Sequence, residues 1–167
     1  MELKASHFAE HDQFSVAYHP DGDGFGTVNI LLNHCPHANI RLYSVDNSRR
    51  DFSPEQYKQL KEDMAAGAWV VYLDLTPSNF EQLEDILSQS RLLYLDHHQI
   101  RDGFKAMFDR VPAHNPRLYD PENAELYAAG LQIYHLFNQE AMNPEDLPYL
   151  FVSLFGDAKF QRCSEFP

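Results

Sequence analysis

Four short runs rich in Val, Leu, Tyr or Trp recur along the chain: Phe14 to Tyr18, Ile40 to Val45, Trp69 to Leu73 and Leu92 to Leu95. Runs of this length and make-up read as buried strands. The stretches between them are polar or amphipathic and carry helix signals. Strands that alternate with helices of this length restrict the chain to right-handed βαβ units. The expected fold class is therefore α/β, a doubly wound, mainly parallel β-sheet with helices on both faces.

The helix signals are local. Ser53, Pro54 and Gln56 supply an N-cap, a first-turn proline and a capping-box partner for a helix through about Met64. Ser78 with Glu81 repeats the capping signature ahead of Phe80, Leu83, Ile86 and Leu87, whose three-and-four spacing marks one buried face. A first helix is expected from Gly24 to about Leu32. Asn123 is expected to cap a helix through Phe137, and Asn143 with Pro144 another through about Phe155.

No repeat and no Gly/Ser-rich linker divides the 167 residues, so one continuous domain is expected. A chain of this size buries roughly two-thirds of its unfolded surface without covalent staples. Cys35 and Cys163 form no CxxC pair and no secreted spacing pattern, which points to a reducing, cytoplasmic location. The longest apolar runs fall far short of the roughly 20 residues that span a bilayer, and the first residues lack a signal-peptide core. Thirteen basic residues against 25 acidic ones leave a net charge of −12. Such a surface repels long polyanions unless metal ions or local basic residues offset it.

In a parallel sheet, ligands bind beyond the carboxyl ends of the strands. The first strand runs into His19-Pro20-Asp21-Gly22-Asp23-Gly24, the third into Asp74, and the fourth into Asp96-His97-His98. All three polar clusters are thus expected at one edge. Asp-Gly-Asp-Gly is by itself also the composition of a solvated turn. Asp74 ends an apolar strand, where a buried carboxylate needs a partner or a cation. Paired histidines after a strand suit a divalent ion, with Asp96 orienting one ring, but alone they also suit a helix start with two exposed imidazoles. Together, the clusters favour metal binding.

These residues, in this order and at these intervals, resemble the motifs of the DHH phosphoesterase superfamily. The first, His-x-Asp-x-Asp-Gly, stands at His19 to Gly24; the second is Asp74; the third, which names the family, is Asp96-His97-His98. Asn115-Pro116-Arg117 and Ala128-Ala129-Gly130 resemble the stretch that follows. A fourth-motif aspartate is placed at Asp157, after the apolar run Leu147 to Phe155; an alternative register puts that position at Phe160, which binds nothing.

The resemblance implies a Rossmann-like catalytic domain and a divalent-metal-dependent phosphoesterase with two Mn²⁺ or Mg²⁺ ions. His19, Asp21 and Asp74 would hold one ion, and Asp23, Asp74, His97 and Asp157 the other. Asp74 would bridge them, His98 would face the substrate phosphate, and Asp96 would support the histidine loop. The implied reaction is hydrolysis by a hydroxide activated between two metals, and the implied substrate a nucleotide, a dinucleotide or a short single-stranded oligonucleotide. A manganese-dependent inorganic pyrophosphatase and a non-catalytic interaction module are the alternatives. Family members usually carry a second, C-terminal lobe over the site, and residues 161–167 are too few to form one. The expectation is a catalytic lobe alone, or a single-domain enzyme whose cleft a partner subunit completes in a homodimer.

Other polar residues have ordinary readings. His34, Cys35 and His37 lie near the end of the first helix, where a cation is favourable. His114 and His135 read as surface or core residues, although His114 adjoins Asn115-Pro116-Arg117. Arg49-Arg50 reads as a solvated loop rather than a phosphate clamp.

Overall fold

The computed structural model describes residues 1–45, 50–89, 91–100, 103–139 and 141–166. Five strands, β1 (Gln13–Tyr18), β2 (Asn39–Ser44), β3 (Trp69–Leu73), β4 (Leu92–Leu95) and β5 (Ala113–His114), form one all-parallel sheet in the order β2-β1-β3-β4-β5. The four strands read from the sequence are all present, displaced by one residue at most. β5 is additional to that reading, because two residues carry no periodicity. Eight helices flank the sheet among the described residues: α1 (Ser6–Ala9), α2 (Gly22–His34), α3 (Pro54–Ala65), α4 (Phe80–Ser88), α5 (Lys105–Phe108), α6 (Pro116–Tyr119), α7 (Ala129–Phe137) and α8 (Leu147–Gly156).

The sheet is covered on both faces. One core joins Phe14, Val16, Val71, Leu73, Leu93 and Leu95 to α2, α7 and α8 through Ile30, Leu31, Ile133, Leu150 and Leu154. The other joins Ala17, Val70, Tyr72, Leu92 and Tyr94 to α3 and α4 through Leu60, Met64, Leu83 and Ile86. The two-residue period of the strands sends alternate side chains to the two cores. Because β2 and β3 flank β1 on opposite sides, the chain reverses its direction of winding between β1 and β3, where such folds bind ligands.

Capping agrees with the sequence at α3 and departs from it elsewhere. Ser53 Oγ accepts from Gln56 N–H at 3.2 Å, and the Gln56 side chain accepts from Ser53 N–H at 2.9 Å, completing the box. α2 begins earlier than expected because Asp21 caps it, accepting from Gly24 N–H at 3.0 Å. The cap of α4 is Asn79, which accepts from Gln82 N–H, and not Ser78. Ser78 instead meets the Asp51 carboxylate, which also accepts from the backbone N–H of Ser78 and Asn79. Asn143 opens a short 3₁₀ turn, and α8 proper starts at Leu147.

α7 starts at Ala129, not after Asn123, because Tyr127 and Ala128 are extended. No side chain of its own caps it. Asp23, more than a hundred residues earlier, does so from α2 by accepting from Ala129 N–H at 2.7 Å and Gly130 N–H at 2.9 Å. The helices α2 and α8 lie in close contact, and a Cβ on Gly26 would collide with the Tyr149 carbonyl oxygen and the Ser153 backbone. Gly130 faces Ser153 as closely, and a Cβ there would displace its hydroxyl.

Candidate metal centre

The sheet ladder continues one residue past β3 and β4 into the polar clusters. Asp74 N–H donates to the Leu95 carbonyl at 2.9 Å and Asp96 N–H to the His114 carbonyl at 3.1 Å. The ladder thus fixes both backbones at the carboxyl edge. Asp74 then turns with φ +54°, a left-handed conformation that aspartate tolerates better than most residues. Among the described residues, the only other non-glycines with positive φ are Arg50 and Ala158, and both border the same edge. Strained backbone gathered at one place is a mark of functional sites.

Asp74 is 1% exposed and lies at the centre of the cluster. Its Oδ2 is 3.7 Å from His19 Nδ1, and its Oδ1 is 3.2 Å from His97 Nε2 and 3.7 Å from His98 Nδ1. His19 Nδ1 also lies 2.6 Å from Asp21 Oδ2, while the other Asp21 oxygen caps α2. On the far side, His97 Nε2 is 3.2 Å from Asp157 Oδ2 and 3.4 Å from Asp23 Oδ2. The structure therefore brings His19, Asp21, Asp23, Asp74, Asp96, His97, His98 and Asp157 to one edge. They form three overlapping groups: His19, Asp21 and Asp74; Asp23, His97 and Asp157; and Asp74, Asp96, His97 and His98. Asp157, at the C-terminal end of α8, stands within the cluster, whereas the side chain of Phe160 lies outside the described residues.

Two kinds of aspartate are present. Asp96 has every oxygen engaged: Oδ1 accepts from His97 N–H, His98 N–H and the His98 ring, and Oδ2 accepts from Thr76 and Tyr94. Burial would raise its pKa, but the His98 ring and the other donors hold its carboxyl far below the usual range. Both oxygens of Asp74, by contrast, lack a partner in hydrogen-bonding geometry, as do both His19 ring nitrogens and His97 Nε2. Leaving buried polar atoms unsatisfied costs about 1–3 kcal/mol each, and more when they are charged. Unpartnered oxygens and imidazole nitrogens facing a common point are the donor set that a hard or borderline divalent cation satisfies. The residues present therefore fit such a cation, with Asp96 outside its ligand set.

The electrostatics agree. Burial first, and then the Asp74 charge, push the Asp23 carboxyl up to about 8, against relief from His97 and Ser153. Asp157 is raised for the same leading reason. Burial pulls His97 down, but the carboxylates of Asp74, Asp23 and Asp96 outweigh it and lift the imidazole to about 9. Acids pushed up by burial and by one another, beside an imidazole raised by the same carboxylates, form a cluster short of positive charge.

Several supporting residues hold this arrangement. Ser153 Oγ donates to Asp23 at 2.6 Å. Asn115 and Arg117 brace the histidine loop by donating to the carbonyls of His98 and His97 at 3.1 and 3.4 Å. Sequence reasoning misses Ser153 in α8 and Tyr94 in β4, since single polar residues in apolar segments leave no pattern to read. Arg50, in a loop as read, lines a shallow crevice with His19, Asp74, Leu75, Thr76 and His98. Arg49 lies outside the described residues. Two of the remaining histidines serve packing. His34 stacks on Phe137 and contacts the buried Asp146 at 2.7 Å, and His114 meets the Tyr119 hydroxyl at 2.8 Å.

No protein-family model matches the sequence, and no curated protein matches it. Solved structures do match in three dimensions. One is a crystal structure of exonuclease RecJ bound to manganese, with a TM-score of 0.67 and 17% identity over 94% of this chain and 44% of that one. A second is RecJ in complex with Mn²⁺ from Thermus thermophilus, at 0.62 and 16% over 91% of this chain and 22% of that one. A third is the DHH domain of a protein described as a member of a ribosomal-protein family, at 0.56 and 14% over 95% of this chain and 47% of that one. The chain spans less than half the length of each. The chain shares the fold of these structures, a DHH domain among them.

Proposed function

We propose that the chain is a divalent-metal-dependent phosphoesterase that hydrolyses phosphodiester bonds in nucleotides, dinucleotides or short single-stranded oligonucleotides. The observation that carries this reading is the convergence of unpartnered buried atoms of His19, Asp74 and His97 at the carboxyl edge of the sheet. His19, Asp21 and Asp74 would hold one cation, and Asp23, Asp74, His97 and Asp157 a second. The manganese in the two RecJ structures of like fold supports Mn²⁺, and the mixed carboxylate and imidazole set suits it. Such ions, when bound, polarise phosphoryl oxygens and lower the pKa of an attacking water.

The chain's own groups orient the phosphate. Arg50 and His98 line the crevice beside Asp74 and would offer positive charge and an imidazole nitrogen to the phosphate oxygens. The crevice is shallow and open, so a phosphate would rest on its polar rim and the rest of the substrate would lie outside. The net charge of −12 disfavours a long strand, which needs many basic contacts, and thus supports a short substrate. Both cysteines are free, in keeping with a cytoplasmic enzyme.

The test is hydrolysis of an aryl phosphodiester, a dinucleotide, short oligonucleotides and pyrophosphate with Mn²⁺ present, by the wild-type chain and by Asp74→Asn. Turnover of the diesters is expected, with a loss in Asp74→Asn beyond the roughly 10–100-fold typical of outer-shell partners. Cleavage of pyrophosphate alone would replace the proposed substrate. Wild-type hydrolysis by a folded Asp74→Asn chain would refute the assignment.

A further inference from the structure

Asp96 is fully buried and its two oxygens have separate tasks. Oδ1 faces the histidine loop, accepting from His97 N–H at 2.8 Å, from His98 N–H at 3.2 Å and from His98 Nδ1 at 2.6 Å. Oδ2 points back into the second core, where Thr76 Oγ1 donates to it at 2.5 Å and the Tyr94 hydroxyl at 2.7 Å. We propose that Thr76 and Tyr94 are positioning residues that clamp the far oxygen of Asp96, so that its near oxygen holds the His98 ring by Nδ1 and leaves Nε2 free for the substrate phosphate. This deepens the proposed function and rests on it for the role of His98.

The placement follows from the strand period. Tyr94 lies two residues before Asp96, so both side chains leave β4 toward the same face. The ring packs in the core with Tyr72 and Leu92, and only its hydroxyl reaches the strand end. Phenylalanine would fill the same space, so the hydroxyl serves the polar contact and not the packing. Thr76 comes from the neighbouring strand's end, two residues past the left-handed turn at Asp74, and is 1% exposed. Its hydroxyl lies 3.4 Å from that of Tyr94, so the two donors grip one oxygen side by side. A carboxylate gripped at one oxygen cannot rotate about its Cβ–Cγ bond. The His98 imidazole, 28% exposed at the crevice, gains through Asp96 a fixed orientation that its open surroundings do not give.

The experiment compares Thr76→Val, Tyr94→Phe, their double variant and Thr76→Ser in the full chain. Three quantities are read: kcat and KM on an aryl phosphodiester with Mn²⁺, Mn²⁺ affinity by calorimetry, and the His98 Nδ1–H resonance in histidine-¹⁵N-labelled protein, assigned by its loss in His98→Asn. Each single loss of a hydroxyl is expected to lower kcat about tenfold with KM and Mn²⁺ affinity unchanged. The double variant should fall further than the product of the singles, because each donor covers for the other, and should lose the hydrogen-bonded His98 proton signal. Thr76→Ser should retain kcat. An unchanged His98 signal in the double variant overturns the proposal. So does a fall in kcat that tracks melting temperature and Mn²⁺ affinity and is no smaller in Thr76→Ser, since that pattern describes core packing only. If the wild-type chain cleaves none of the phosphoester probes, the enzymatic reading fails, while the resonance still decides whether the clamp holds His98.

Discussion

A cation bound at Asp23, His97 and Asp157 would have to displace protons. In the metal-free chain burial lifts the Asp23 carboxyl to about 8, and the neighbouring carboxylates lift His97 to about 9. The Asp23 charge is among the causes that raise His97, so the two titrate as a pair that holds at least one proton at pH 7. Each displaced proton makes affinity change tenfold per pH unit, about 1.4 kcal/mol. Affinity should therefore rise about 10- to 100-fold per unit through neutral pH and level off above about 9. Calorimetric titration with Mn²⁺ at pH 7 in buffers of different ionisation enthalpy should count at least one proton released at this position, and Asp23→Asn should reduce the count. The same protons govern the stability of the metal-free fold. Asp23 holds its proton above its ordinary 3.8, so its burial costs stability as pH rises from about 4 to 8. His97 is raised above 6.5, so its contribution is complete below 6.5 and is lost as pH rises through about 9. The two slopes have one sign: the metal-free chain weakens with rising pH, and Mn²⁺ reverses the trend. An affinity flat from pH 6 to 8, with an enthalpy independent of buffer, would show that Asp23 and His97 do not bind the ion.

Two further predictions concern the frame around the site. Gly26→Ala places a methyl against the Tyr149 carbonyl and should destabilise the α2–α8 contact by about 1–3 kcal/mol, read as a lower midpoint in urea unfolding; an unchanged midpoint would refute the close approach. Asn79→Ala should cost roughly 1 kcal/mol of stability through the lost α4 cap, and Asp51→Ala more, because that carboxylate accepts from two backbone N–H groups and from Ser78; the reverse order in thermal melts would assign the cap to the wrong residue.

Elements that announce themselves by period and punctuation are legible in the sequence. β1 to β4 are apolar runs bounded by polar clusters, and α3 carries its whole capping box within four residues. What misleads is capping from a distance. Ser78 has the right side chain and the right partner three residues on, yet Asp51 takes it, and Asn79 next to it takes the cap. The start of α7 is unreadable for the same reason, since its cap is Asp23. β5 and the short helices α1 and α5 are too brief to carry a pattern, and α6 has a local start signal, Asn115 as cap and Pro116 in the first turn, but only four residues to follow it.

The site shows the same division at finer scale. The sequence places Asp21, Asp23, Asp74, Asp96 and Asp157 at strand or helix ends, and nothing in composition tells one carboxylate from another. The hydrogen bonds do. Asp21 divides its oxygens between the α2 cap and His19, Asp23 is held by the α7 amides and Ser153 with one edge toward His97, and Asp96 is saturated. Asp74 alone of these is buried with neither oxygen in a hydrogen bond of good geometry, and it sits between His19 and His97. That difference turns a family-like motif into a physical argument. Asp96 is satisfied by five donors, whereas Asp74, at the left-handed end of β3, has no hydrogen bond of good geometry and is met only by the rings of His97 at 3.2 Å and of His19 and His98 at 3.7 Å, an arrangement that leaves its oxygens able to hold a cation. A divalent cation, which the surrounding imidazoles and carboxylates are able to hold, would offset the crowding that lifts Asp23 and Asp157.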